Sequence, residues 1–96
     1  MNRRLVVSSI AKLDLASIFD AIADHNLTAA ERLLAKIETS CLMLVAQPFV
    51  GPAFSERFPG LRFRVVGKYV VFYRVFDDSV WIQRVLHSAR DATRLL

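Results

Sequence analysis

The spacing of apolar positions changes three times along this chain, and each change marks an element. Arg3 to Ser8 is a short run, β-branched at Val6 and Val7, and reads as a first strand. Ser8 or Ser9 then offers a hydroxyl to an unpaired amide in the first turn of a helix. Ile10, Leu13, Ser17, Ile18, Ala21 and Ile22 follow at helical spacing, with Asp14 close to the positive helix start. His25-Asn26 reads as the stop, because Asn tolerates the left-handed conformation there. Thr28-Ala29-Ala30-Glu31 fits a capping box that opens a second helix. Ala30, Leu33, Leu34, Ile37, Cys41, Leu44 and Val45 form its apolar stripe, with Glu31, Arg32, Lys36 and Glu38 opposite. So short a connection makes the two helices an antiparallel hairpin.

Gln47 to Pro59 is the linker, punctuated by Pro48, Gly51-Pro52 and Pro59-Gly60. Phe49, Phe54 and Phe58 predict a loop pinned to the body of the protein. From Leu61 to Val66 the period falls to two, as in a half-buried strand. Gly67-Lys68 suits a two-residue hairpin turn. Tyr69 to Phe76 is apolar on both parities, which predicts a central strand covered on both faces. Asp77-Asp78-Ser79 turns again, and Val80 to Leu86 returns. With a two-residue turn, Arg62 falls opposite Tyr73 and Arg64 opposite Val71. A second such turn adds Arg84 to that Arg/Tyr face, and a three-residue turn flips it away. The other face holds Leu61, Phe63, Val65, Val70, Phe72 and Val85, and the helical hairpin is expected to back it. That leaves the Arg/Tyr side and the strand end for partners. The predicted fold is α+β: a strand and a two-helix antiparallel hairpin packed on a small antiparallel sheet.

Composition narrows the class. Ninety-six residues at 54% hydrophobic content make one domain, 1–96. No apolar run approaches the roughly 18 residues that span a bilayer, and MNRRLVVSSIAK is too weakly apolar for a signal peptide. The single Cys41 excludes an intramolecular disulfide, agrees with a cytoplasmic location and reads as a small apolar core residue. Charge is uneven. Residues 1–56 hold five basic and six acidic side chains, whereas 57–96 hold eight basic and three acidic. No acid lies between Arg57 and Phe76. Such asymmetry fits an acidic partner, or else a merely solvated face.

Candidate chemistry is sparse. There is no phosphate-binding glycine loop and no nucleophile elbow. Two His and one Cys lie too far apart for metal-ligand spacing, so no metal or cofactor is expected. His25 reads as a helix-end residue. His87 is the one candidate acid or base, at a strand end beside Arg90 and Asp91. Its structural alternative is to cap that strand and bond the Arg90/Asp91 pair.

These residues resemble a family. Ala11-Lys12-Leu13-Asp14, AAERLLAKIE at 29–38, the Pro-Gly loop and above all GLRFRVVGKYVVFYRVFDDSVWIQRVLHSARD at 60–91 are similar to ParE-like toxins of the ParE/RelE superfamily. The resemblance implies a type II toxin–antitoxin toxin of the plasmid-stabilising, growth-inhibiting kind. It also implies a ParD-like antitoxin that wraps the toxin with an otherwise disordered C-terminal segment, and higher toxin–antitoxin oligomers. ParE-like members inhibit DNA gyrase without cutting nucleic acid, and RelE-like members cut mRNA on the ribosome. Val70 stands where RelE-like toxins commonly place a strand Arg, and DATRLL lacks their basic or Tyr-bearing tail, which favours gyrase. On that reading Arg62, Arg64, Lys68, Tyr73, Arg74, Arg84, His87 and Arg90 supply the target and antitoxin surface, with no direct DNA binding by the toxin alone. The alternatives are a metal-independent endonuclease using His87 and Arg90, and an inactive binding partner of the antitoxin.

Overall fold

The computed structural model describes residues 2–88 and 91. Its order is β1 (Arg4–Val7), α1 (Ser9–Ala23), α2 (Leu27–Ala46), β2 (Arg62–Val66), β3 (Tyr69–Val75) and β4 (Ser79–His87). The α+β class, the helical hairpin and the three C-terminal strands are as the sequence predicts. The sheet is mixed, in the order β1-β4-β3-β2, because β1 joins β4 in parallel while the other pairs are antiparallel.

Helix ends follow local chemistry. Ser8 caps α1, its hydroxyl accepting the Ala11 amide at 3.0 Å. The cap of α2 is Asn26, not the Thr28 capping box. Its side-chain oxygen takes the Ala29 amide at 3.0 Å, so the helix begins at Leu27. Asn26 is extended (φ −158°), and no non-glycine residue has positive φ among the described residues. The three-residue link therefore uses Asn26 as a cap for the second helix instead of a left-handed stop for the first.

Gly67, at φ +59°, makes the expected two-residue turn, and Arg62 pairs with Tyr73 and Arg64 with Val71. The faces are the reverse of the expectation. The hairpin packs Ala11, Ile37, Cys41 and Leu44 against Val66, Val71, Tyr73, Val80, Ile82 and Val85. Thus the helices cover the Arg/Tyr face. Leu61, Val70, Phe72 and Leu86 form a second core on the far side, under Phe54, Phe58 and Phe63. The Phe54 ring meets Phe72 edge-on at 4.9 Å. Both faces of β3 are thereby sealed, one by helices and one by the 47–59 linker.

Val85 changes face for an identifiable reason. The Asp77-Asp78 turn sets Val75 opposite Val80 and Tyr73 opposite Ile82, but Phe72 then meets Arg84. A β-bulge absorbs one residue of β4 between those pairs and turns Val85 into the helix-side core.

Tyr73, fully buried, pins the linker to the sheet. Its hydroxyl donates to the Pro48 carbonyl at 2.8 Å and accepts the Gly51 amide at 3.0 Å. Gly51 must be glycine, because a Cβ there would collide with the Phe63 carbonyl oxygen and the Tyr73 hydroxyl.

Tyr73→Phe leaves two buried backbone groups unpaired and is expected to cost about 1–3 kcal/mol, read from urea unfolding. Burial, reinforced by the charge of Glu38, pushes the Cys41 thiol from 9.0 up to about 11. A raised folded value favours the protonated form, so its contribution is fully present below about pH 9 and is lost as pH rises to about 11. Wild type is therefore expected to lose more stability than Cys41→Ala between pH 9 and 11, as measured by denaturant midpoints.

Candidate functional site

Eight residues are predicted for the contact surface, and the structure separates them. Arg62 and His87 pair with Tyr73 and Tyr69, four residues apart along β3, or about 13 Å. Lys68 and His87 lie at the hairpin end, Arg62 and Arg74 lie toward the other end, and Arg64 and Arg84 pair with Val71 and Phe72 between them.

At the hairpin end, Lys68 is an exposed turn residue whose carbonyl accepts the Ser88 amide at 2.9 Å. The His87 ring stands edge-on to Tyr69 at 5.4 Å, and its carbonyl accepts the Asp91 amide at 2.9 Å. The His87 carbonyl thus begins a turn that follows β4. Arg90 lies outside the described residues.

Arg84 is not a free cation. Its Nε donates to Asp14 Oδ2 at 2.9 Å and its Nη2 to Oδ1 at 3.1 Å, a bidentate pair. The Val85 amide donates to Oδ2 at 3.0 Å. The Asp14 hydrogen bond raises the Arg84 pKa above its ordinary value; partial burial opposes this, and the charges of Asp14 and Asp91 add to it. Asp14 is a binding partner across the fold, not a helix-dipole residue. The cause is the short β1: its pairing stops at Val7 opposite Ile82, leaving the next stretch of β4's edge open. Ser8 takes up part of it, its amide donating to the Ile82 carbonyl and its hydroxyl to the Gln83 carbonyl, each at 2.9 Å. Asp14 satisfies the next donor.

Tyr73 is wholly buried and cannot touch a partner. Arg74 donates from Nη1 to the Pro59 carbonyl. Arg64, on the helix-covered face of β2, keeps its Nε buried without a hydrogen-bond partner among the described residues. Arg62 reaches the linker: Nη1 donates to the Gly51 carbonyl at 2.6 Å, and its guanidinium lies 5.1 Å from the Phe49 ring centre. Arg3 lies over that ring too, at 5.5 Å, and its Nε donates to the Phe76 carbonyl at 2.8 Å.

Arg3, Phe49 and Asp14 are the participants that sequence reasoning missed. Arg84 and Asp14 are 70 residues apart, and nothing local marks the pair. Among the described residues no group of three His, Cys, Asp or Glu could hold a metal, and no helix is long and apolar enough to cross a membrane.

Asp14→Ala strands both the guanidinium and the Val85 amide. It is expected to destabilise by about 1–2 kcal/mol, more than Arg84→Ala, because Arg84 is partly exposed and its loss leaves the amide bond intact. Paired urea titrations of the two variants measure that order.

Comparison with solved structures shows the same fold in three toxin–antitoxin systems. A chain of the chromosomal ParDE system from P. aeruginosa is 23% identical, with a TM-score of 0.75, covering 88% of this chain and 95% of that one. A chain of the RelBE2 complex from Mycobacterium tuberculosis is 23% identical at TM-score 0.72, covering 91% and 99%. A chain of the E. coli DinJ–YafQ complex is 14% identical at TM-score 0.66, covering 96% and 99%. A search of curated proteins finds no match. Residues 5–92 match the family described as the ParE toxin of the type II toxin–antitoxin system parDE, and the chain belongs to that family.

Proposed function

We propose that this toxin inhibits DNA gyrase by protein contact and is neutralised by a cognate antitoxin. The observation that carries the first half is the engagement of Arg84 by Asp14. A metal-independent nuclease needs free cations converging on a phosphate beside an acid or base. Here Arg84 on β4 is already neutralised, Tyr73 is sealed, and Arg62 and His87 pair four residues apart along β3. Val70, at the position of the strand Arg common in RelE-like toxins, is buried in the outer core. A surface of scattered cations suits the gripping of a protein.

The antitoxin half is supported by the complexes that the related folds form, ParDE, RelBE2 and DinJ–YafQ. It is also supported by shape. Among the described residues β1 is an edge strand, with β4 on one side only. A mainly apolar groove of about 340 Å³ takes in Leu5 and Val7 of β1, with Leu15, Ile37, Cys41 and Leu42 and the charged Lys12 and Glu38. A segment that folds on binding can add a strand there and bury apolar side chains.

The runner-up is ribosome-dependent mRNA cleavage, favoured by one observation, the unpartnered Nε of Arg64. Purified toxin is expected to block supercoiling by gyrase while leaving translated transcripts intact. His87→Ala is expected to keep most of that inhibition. Intact gyrase activity with transcripts cut at codons, and a loss of about 10²–10⁴-fold in cutting by His87→Ala, would reverse the assignment.

A further inference from the structure

We infer that Arg3, Phe49 and Arg62 form a receptor for a carboxylate of the antitoxin segment. This rests on the antitoxin reading above and specifies where an acidic side chain docks. Two guanidinium groups are drawn to one phenyl ring, at 5.5 and 5.1 Å from its centre. Each is also tethered to a backbone carbonyl, Arg3 to Phe76 and Arg62 to Gly51, which fixes its position. Neither forms an ion pair with a carboxylate among the described residues. Two cations gathered at one ring, neither with a carboxylate partner, are a standing attraction for an anion. Phe49 is 61% exposed and the adjacent Val50 48% exposed, so the anion arrives beside uncovered apolar surface.

Position identifies the occupant. Arg3 immediately precedes β1, and the groove lined by Leu5 and Val7 of β1 also includes Leu42, on the last part of α2, with Phe49 three residues beyond that helix. A peptide strand paired along β1 from Val7 to Arg4 is carried next to Arg3. An acidic residue at that point is offered the guanidinium of Arg3, with that of Arg62 reaching the same Phe49 ring from β2, and its apolar neighbour covers Phe49 and Val50. A nucleic-acid strand fits less well. Phe49 already engages two cations, so a stacking base would have to displace one. The run of cations that a phosphate chain would follow stops at Arg64, whose Nε is withdrawn from water.

The test measures binding of the antitoxin encoded beside this gene, by calorimetry at two salt concentrations, to wild type, Arg3→Gln and Arg3→Gln/Arg62→Gln. Thermal unfolding of each variant checks that the fold persists. Arg3→Gln is expected to weaken binding about tenfold, and the double variant about 100-fold with a flatter salt dependence. Phe49→Leu, which retains an apolar contact but no ring for the guanidinium groups, serves as a variant that leaves both charges in place and is expected to weaken binding less than threefold. Replacing the single acidic residue of the antitoxin that faces the site by its amide should make Arg3→Gln nearly silent. Tight binding unchanged by Arg3→Gln/Arg62→Gln overturns the receptor and leaves the antitoxin reading standing. A wild-type chain that ignores the antitoxin overturns both. Unchanged antitoxin affinity with lost binding of a single-stranded RNA 12-mer would assign the pair to nucleic acid and also overturn the proposal.

Discussion

A backbone edge in a sheet must find partners, and in this protein the edge that decides the arrangement belongs to β4. β1 covers only its first half. Ser8 and Asp14 cover the next stretch, and in doing so they fix where α1 begins and how it lies over the sheet. Because Asp14 also holds Arg84, one carboxylate joins the helical layer to the strand and silences a cation that the sequence displays. Backbone pairing, helix placement and surface electrostatics thus share a single side chain. Losing it disturbs all three.

The sheet itself is two-sided, which is unusual economy for so short a chain. Helices seal one face through Ile37, Cys41 and Leu44, and the linker seals the other through Phe54 and Phe58. The linker is held by Tyr73, whose hydroxyl crosses from the helix-side core to the backbone of Pro48 and Gly51. That strap also delivers Phe49 to Arg3 and Arg62. The surface proposed for the antitoxin is therefore built by the same loop that completes the core.

Much of this was legible in the residues. The Gly67-Lys68 turn determines the pairing of Arg62 with Tyr73, since a two-residue turn admits one alignment. The helical hairpin followed from periodicity. Which face the hairpin would cover did not follow, because Val71 and Tyr73 are as suitable for a core as Val70 and Phe72, and alternation cannot rank two apolar faces. The bulge that turns Val85 inward has no local signature. Asn26 prevailed over Thr28 because caps are chosen by where the link ends in space. The candidate site fared less well, since a list of arginines says nothing about which carboxylates and carbonyls will reach them. Asp14 reaches Arg84 across 70 residues, and Arg3 meets Phe49 only once the linker has been tied down.

The parallel pairing of β1 with β4 has a consequence for how the molecule is made. Among the described residues β1 finds its one sheet partner in β4, and Ser8 bonds Gln83 across 75 residues. During synthesis the N-terminal strand and the helical hairpin have no completed sheet to rest on, so the chain closes late and all at once. Contacts of such long range slow folding and leave apolar surface open meanwhile. The sheet is therefore incomplete until β4 has been made, and until then the apolar faces of β1 and the helical hairpin lack their cover.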